Sequence, residues 1–219
     1  MAEDAITDEV ADLNPFKGIR IRAGDPRAKK KRRPIRVFSF EQMHRFAKAA
    51  GRYEAMVRVV IDTGMRLGEV LPLRKDDFDR ETIKVRCTAH EGQILEGTKT
   101  DHGEQDAGRT VPVPVTLAWM LEAQINLSDP DCDLLFPTPR GRLWRERNFY
   151  RDLWKPTQER SGIDIRPHEC RHSYVTHLRA TGINDADLAE IVGHSVGTML
   201  ARYSHPVGCS FKKIRAAID

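Results

Sequence analysis

PHECRHSYVTHLRATGINDADLAEIVGHSVGTMLARYSHP, Pro167 to Pro206, reads as two short helices and a third run, punctuated by glycine. His168 and Arg171 stand three apart on the first helix, so both side chains leave from one face. Gly182 closes that helix, Asn184 is placed to cap DADLAEIV, and Gly193 closes the second helix in turn. His194 follows at once, and Tyr203 ends the run after it. These four side chains suit work on a phosphate. Arginine offers a planar fork of donors to non-bridging oxygens, histidine exchanges a proton near neutrality, and a phenol oxygen can attack phosphorus.

Taken singly, each has a plainer reading: a solvated or satisfied histidine or arginine, and a tyrosine packing its ring. Their combination is harder to explain that way. Upstream, TGMRLGEVLPLRKDD places Arg66 in the turn that opens the short helix RLGEVL, with Glu69 three residues on. An arginine at such a junction can reach a site, or pair with Glu69 at i+3, or both.

The chain around these motifs is mainly helical. Ser39 with Gln42 forms a capping box that opens a helix with Phe46, Ala47 and Ala50 on its inner side. Tyr53 to Asp62 is apolar nearly all round, as in a buried helix, and Thr63–Gly64 ends it. TIKVR, QILEG and RTVPVP are the strand-like runs, predicting a small three-stranded antiparallel sheet. Helix returns from Thr116, its expected cap, to Asn126. Pro156 is expected to kink or break the helix that follows Arg147. Trp144, Phe149, Leu153 and Trp154 have the bulk of core anchors. Arg140, Arg142, Arg145 and Arg147 either track a polyanion or solubilise the surface.

Composition narrows the classes. The chain has 219 residues, 31% of them charged, and a net charge of +4, which permits a polyanion partner without demanding one. Residues 1–37 read as an acidic segment followed by a basic linker, in which Lys29, Lys30, Lys31, Arg32 and Arg33 stand in a row. Such a run is a solvated linker or a strap across a nucleic-acid backbone. Cys87, Cys132, Cys170 and Cys209 form no C-x-x-C pair, against a disulfide framework or structural zinc. There is no apolar run of membrane length, no Walker-type loop and no paired-carboxylate cluster, so a membrane protein, a nucleotide hydrolase and a two-metal nuclease are unsupported. A reducing cytoplasm is the expected setting.

The Pro167–Pro206 stretch resembles the C-terminal box of the tyrosine recombinases, the phage-integrase family: H-x-x-R at His168–Arg171, G-H-S at Gly193–Ser195, and a tyrosine after the second histidine. Arg66 matches the family's first arginine, Glu69 the acidic residue beside it, and Lys99 in GTKT the hairpin lysine. Without that match Lys99 would read as a solvated turn residue, with Lys75, Lys84 and His102 as competitors. The resemblance implies a tyrosine-recombinase catalytic domain over residues 38–203, with 204–219 as a tail that docks in cis or on a neighbour. It implies Tyr203 as the nucleophile, Arg66, Lys99, His168, Arg171 and His194 as the other catalytic residues, and no metal or cofactor. It implies double-stranded DNA recombination sites as partner, with a homotetramer on paired sites and a monomer or weak association without DNA. Family members carry a helical core-binding domain upstream; this chain has no room for one, and is expected to be either an excised catalytic fragment or an unusually short member. A type IB topoisomerase and a DNA-binding regulator on the same fold remain as alternatives.

Overall fold

Why the first helix starts where it does is visible at Ser39. Its side chain accepts from Gln42 N–H while Gln42 Oε1 accepts from Ser39 N–H, closing a reciprocal capping box on α1, Phe40–Lys48. The computed structural model describes residues 36–97, 108–195, 197 and 199. Lys29 to Arg33, Lys99, His102, Tyr203, Cys209 and the tail from Ser204 lie outside the described residues.

After a 3-10 turn at Gly51–Tyr53 comes α2, Glu54–Asp62, whose Ala55, Met56, Val57, Val59, Val60 and Ile61 are all buried. It forms the central post of the core. The short α3, Leu67–Val70, follows, with Arg66 as its N-cap residue. Further on lie α4, Val115–Asn126; α5, Glu146–Phe149; α6, Lys155–Ser161; α7, Pro167–Ala180; and α8, Asp185–Val192. α7 and α8 pack a second apolar cluster of Tyr174, Val175, Leu188, Ala189 and Val192. No helix among the described residues is long and apolar enough to cross a membrane.

The β content is small and antiparallel, but it is not the single three-stranded sheet expected. Four strands among the described residues make two two-stranded ladders. β1, Thr82–Val85, pairs with β4, Arg109–Pro112; β2, Cys87–His90, pairs with β3, Gln93–Glu96. The physical reason is Arg86. The first strand runs on through this residue, which belongs to neither ladder and whose carbonyl instead accepts from Gly97 N–H at 3.1 Å. Thr116 is also not the cap expected. α4 begins at Val115, and Pro114, with φ −60° and ψ 144°, supplies the N-cap backbone without a side-chain bond.

Between α5 and α6 the chain widens into a π-turn at Tyr150–Trp154, ahead of Pro156. Proline brings no N–H to the ladder, and Thr157 offers its hydroxyl to Leu153 O at 2.7 Å. The widened turn lets Phe149, Leu153 and Trp154 all reach the core, as Trp144 does.

Candidate active site

Glu69 sits at the third position of α3 with a side chain 2% exposed. It accepts four hydrogen bonds. Arg66 donates its backbone N–H to Oε2 and its Nη1 to Oε1, both at 2.8 Å. Arg109, the first residue of β4, donates Nη1 to Oε1 at 3.0 Å and Nη2 to Oε2 at 2.5 Å. Those four bonds fill the acceptor capacity of a carboxylate. Burial opposes ionisation of Glu69, but the hydrogen bond and charge of Arg109, with the charge and N–H of Arg66, hold its carboxyl below the usual range.

Both arginines also reach the C-terminus of α8, where unpaired carbonyls concentrate partial negative charge. Arg109 Nε donates to Ile191 O at 2.9 Å, and Arg66 Nη2 donates to Gly193 O. Gly193 has φ +67° and ends α8; a Cβ there would stand 2.9 Å from Arg109 Nη1. Glycine at this position therefore serves both the left-handed turn and the close approach of a guanidinium. His194 comes next, partly buried, its N–H bonded to Ala189 O at 2.8 Å.

Arg171 approaches from α7. It is 6% exposed, and its Nη1 donates to Gly64 O at 2.7 Å, two residues before Arg66. Gly64 has φ +62°, and a Cβ on it would come 2.5 Å from the Tyr174 ring. That ring lies against the bend, and burial pushes its phenol up to about 12. A tyrosine so enclosed is unsuited to attack. His168 stands exposed on the first turn of α7, edge-on to His172 with ring centroids 6.0 Å apart. Cys170, between His168 and Arg171, is fully buried, and burial drives its thiol pKa upward, in keeping with packing.

The structure thus brings Arg66, Glu69 and the end of α8 before His194 into hydrogen-bond contact. It joins Arg171 to the same loop through Gly64, and carries His168 one turn along α7 from Arg171. Beside them lies a cleft lined by Arg66, Gly68, Glu69, Thr88, His90 and Glu146. Sequence reasoning missed Arg109. It was read only as the start of RTVPVP, and nothing local marks an arginine whose partner is 40 residues away. Among the described residues, no group of three or more His, Cys, Asp or Glu is arranged to hold a metal ion.

Chemically, the arrangement is a set of fixed arginines beside one exposed and one partly buried histidine, suited to an anionic group whose charge rises during reaction. Comparison with known proteins agrees with that character. The model of the phage integrase family matches residues 36–207. A Mycobacterium tuberculosis chain that carries the name of a prophage phiRv2 integrase is 26% identical over 223 residues, 99% of this chain and 58% of that one. Tyrosine recombinase XerA of Thermococcus kodakarensis is 28% identical over 147 residues, 66% of this chain and 47% of its own. Among solved structures, XerA recombinase aligns with a TM-score of 0.63 at 25% identity, over 84% of this chain and 65% of that one. The Tn1549 transposon integrase, in complex with circular intermediate DNA, aligns at 0.71 and 19% identity, over 99% of this chain and 74% of that one. The chain therefore spans about half the length of the curated relatives it matches.

Proposed function

We propose that this chain, which belongs to the phage integrase family, supplies the catalytic domain of a site-specific DNA recombinase that breaks and rejoins DNA through a phosphotyrosine bond. The observation that carries the reading is the network just described: Arg66 held on Glu69 and Gly193 O, and Arg171 held on Gly64 O. Arginines so fixed need no reorganisation when charge develops on a phosphate.

In this reading the Tyr203 oxygen attacks a DNA phosphorus and its proton passes toward His168 or His194. The bond to the 5′-oxygen breaks, and Lys99 protonates that oxygen as it departs. A 3′-phosphotyrosine and a free 5′-hydroxyl result. Arg66 and Arg171 stabilise the non-bridging oxygens, each fixed donor contributing on the order of 3 kcal/mol. A 5′-hydroxyl from a second duplex then attacks the phosphotyrosine and releases Tyr203. The covalent bond conserves the phosphoester, so rejoining draws on no ATP, and the family resemblance implies no metal. The DNA complex of the Tn1549 integrase supports double-stranded recombination sites as partner. Further parts of the proposal are a homotetramer on paired sites, with weak or no association off DNA, and action in the cytoplasm, that of the bacterial host if the chain is phage-encoded. The proposed catalytic unit spans 38–203, preceded by the acidic segment and basic linker of residues 1–37 and followed by 204–219 as a docking tail.

The test is incubation with nicked suicide DNA carrying the cognate site, in EDTA, read as a covalent adduct on a denaturing gel. The parent protein forms the adduct; Tyr203→Phe binds the DNA and forms none. An undiminished adduct from Tyr203→Phe sinks the assignment. Activity lost in EDTA and restored by Mg²⁺ points to a nuclease instead.

A further inference from the structure

We propose that Arg109 is a positioning residue for this reaction, setting Arg66 through Glu69 and the approach to His194 through the end of α8. The inference rests on the reading of the site given above. Arg109 cannot itself meet a substrate: its side chain is 8% exposed, and Nε, Nη1 and Nη2 are all engaged within the protein. Its backbone is fixed by the ladder of β1 with β4, where it stands opposite Val85. From that rigid strand one planar side chain holds two parts of the site at once.

Charge gives the arrangement a second consequence. Glu69 alone with Arg66 would be a neutral pair, and the attraction of Arg66 for a phosphate would be spent on its neighbour. With Arg109 on the same carboxylate, two cations share one anion, and the cluster keeps one net positive charge. Arg66 is the exposed member, its side chain 32% accessible against 8% for Arg109, so the surplus faces the cleft. Arg109 thus both orients Arg66 and leaves it a cation free to act on an oxyanion.

The test uses two suicide substrates, one with an ordinary scissile phosphodiester and one with an uncharged methylphosphonate there. Single-turnover cleavage and DNA affinity are measured for the parent, Arg109→Gln, Arg66→Ala and the double variant. Arg109→Gln is expected to cleave the phosphodiester on the order of 10²-fold more slowly, the scale of a displaced catalytic group, with affinity close to parental. On the methylphosphonate, which lacks one non-bridging oxygen and its negative charge, its deficit should narrow as that of Arg66→Ala does. The double variant should cleave the phosphodiester little more slowly than Arg66→Ala. A merely structural role would slow both substrates alike. That result, parental cleavage by Arg109→Gln, or fully additive losses overturns the proposal. Should Arg109→Gln not fold, Arg109→Lys keeps the charge, and the same two-substrate ratio decides. No adduct from the parent overturns the recombinase reading itself; a cleaving parent with an unaffected Arg109→Gln overturns only this inference.

Discussion

Glu69 is a carboxylate that is nearly inaccessible and yet more acidic than usual, so its ionisation is linked to folding. Burial works against the charge, and the two arginines outweigh it. A folded-state pKa below the unfolded value of 4.5 means the contribution is fully present above that value. It is lost as pH falls through the folded pKa. The stability gap between the parent and Glu69→Gln should therefore hold steady down to the unfolded value and close below it, as thermal melts across acid pH would record. A gap independent of pH would mean the carboxylate is not the stabilising form. Lys99 is the residue that the sequence alone secures least. As general acid, its loss in Lys99→Ala should slow cleavage roughly 10²–10⁴-fold with little effect on binding. A substrate with sulfur at the bridging 5′ position needs no proton on its leaving group and should restore that variant, while Arg171→Ala stays slow. Rescue of Lys84→Ala or His102→Ala in its place would move the proton donor there. The Arg66–Glu69 pair was legible because both lie on one helical turn; Arg109 was not, because a fold rather than a spacing brings it in.

Among the elements, α7 is fastened along its length by the chain that enters the domain. Arg36 grips Glu169 with Nε at 2.8 Å and Nη2 at 2.9 Å. Phe38 N–H donates to Ser173 Oγ at 2.9 Å, and Phe38 O meets His177 Nε2 at 2.8 Å. The anchors fall at i, i+4 and i+8, one stripe of the helix that carries His168 and Arg171. Ser173 is the central one, fully buried, its hydroxyl also donating to Glu169 O at 2.7 Å. Ser173→Ala leaves the Phe38 N–H without that acceptor and should cost about 1–2 kcal/mol, read as a lower urea midpoint at unchanged slope. An unchanged midpoint would show that the Phe38–Ser173 bond adds nothing to stability. The helices were readable in advance because their signals are local: the Ser39 box, Asn184 accepting from Ala186 N–H, and glycine at 64 and 193. The ladders were only partly readable, since alternation reveals a strand but not that Arg86 divides its pairing. The π-turn left no pattern beyond Pro156.

For the whole molecule the balance of 36 basic against 32 acidic side chains is too even for a mean field to draw the chain onto DNA. Any electrostatic grip must be local, and beyond the catalytic arginines two places stand out. One is the run Lys29–Arg33, just before the domain. The other is a cleft lined by Arg52, Arg140, Arg142, Arg145 and Arg151 with Trp144. Arg151 is spoken for by Asp152 at 2.5 Å, whereas Arg140, Arg142 and Arg145 form no ion pair among the described residues. Salt separates the two. Each phosphate neutralised releases counterions, so the logarithm of affinity falls with the logarithm of salt by about 0.9 per phosphate. Replacing Lys29 to Arg33 with neutral residues should weaken binding to cognate and unrelated duplexes alike and flatten that slope by about 0.9 for every phosphate the run neutralises. Arg140→Gln with Arg142→Gln and Arg145→Gln, the run intact, is the counterpart. A slope unmoved by neutralising the run but flattened in the cleft variant would place the DNA backbone on the cleft and return the run to a plain linker. If both changes flatten it, and the combined variant by their sum, the two surfaces hold different phosphates of one bound duplex.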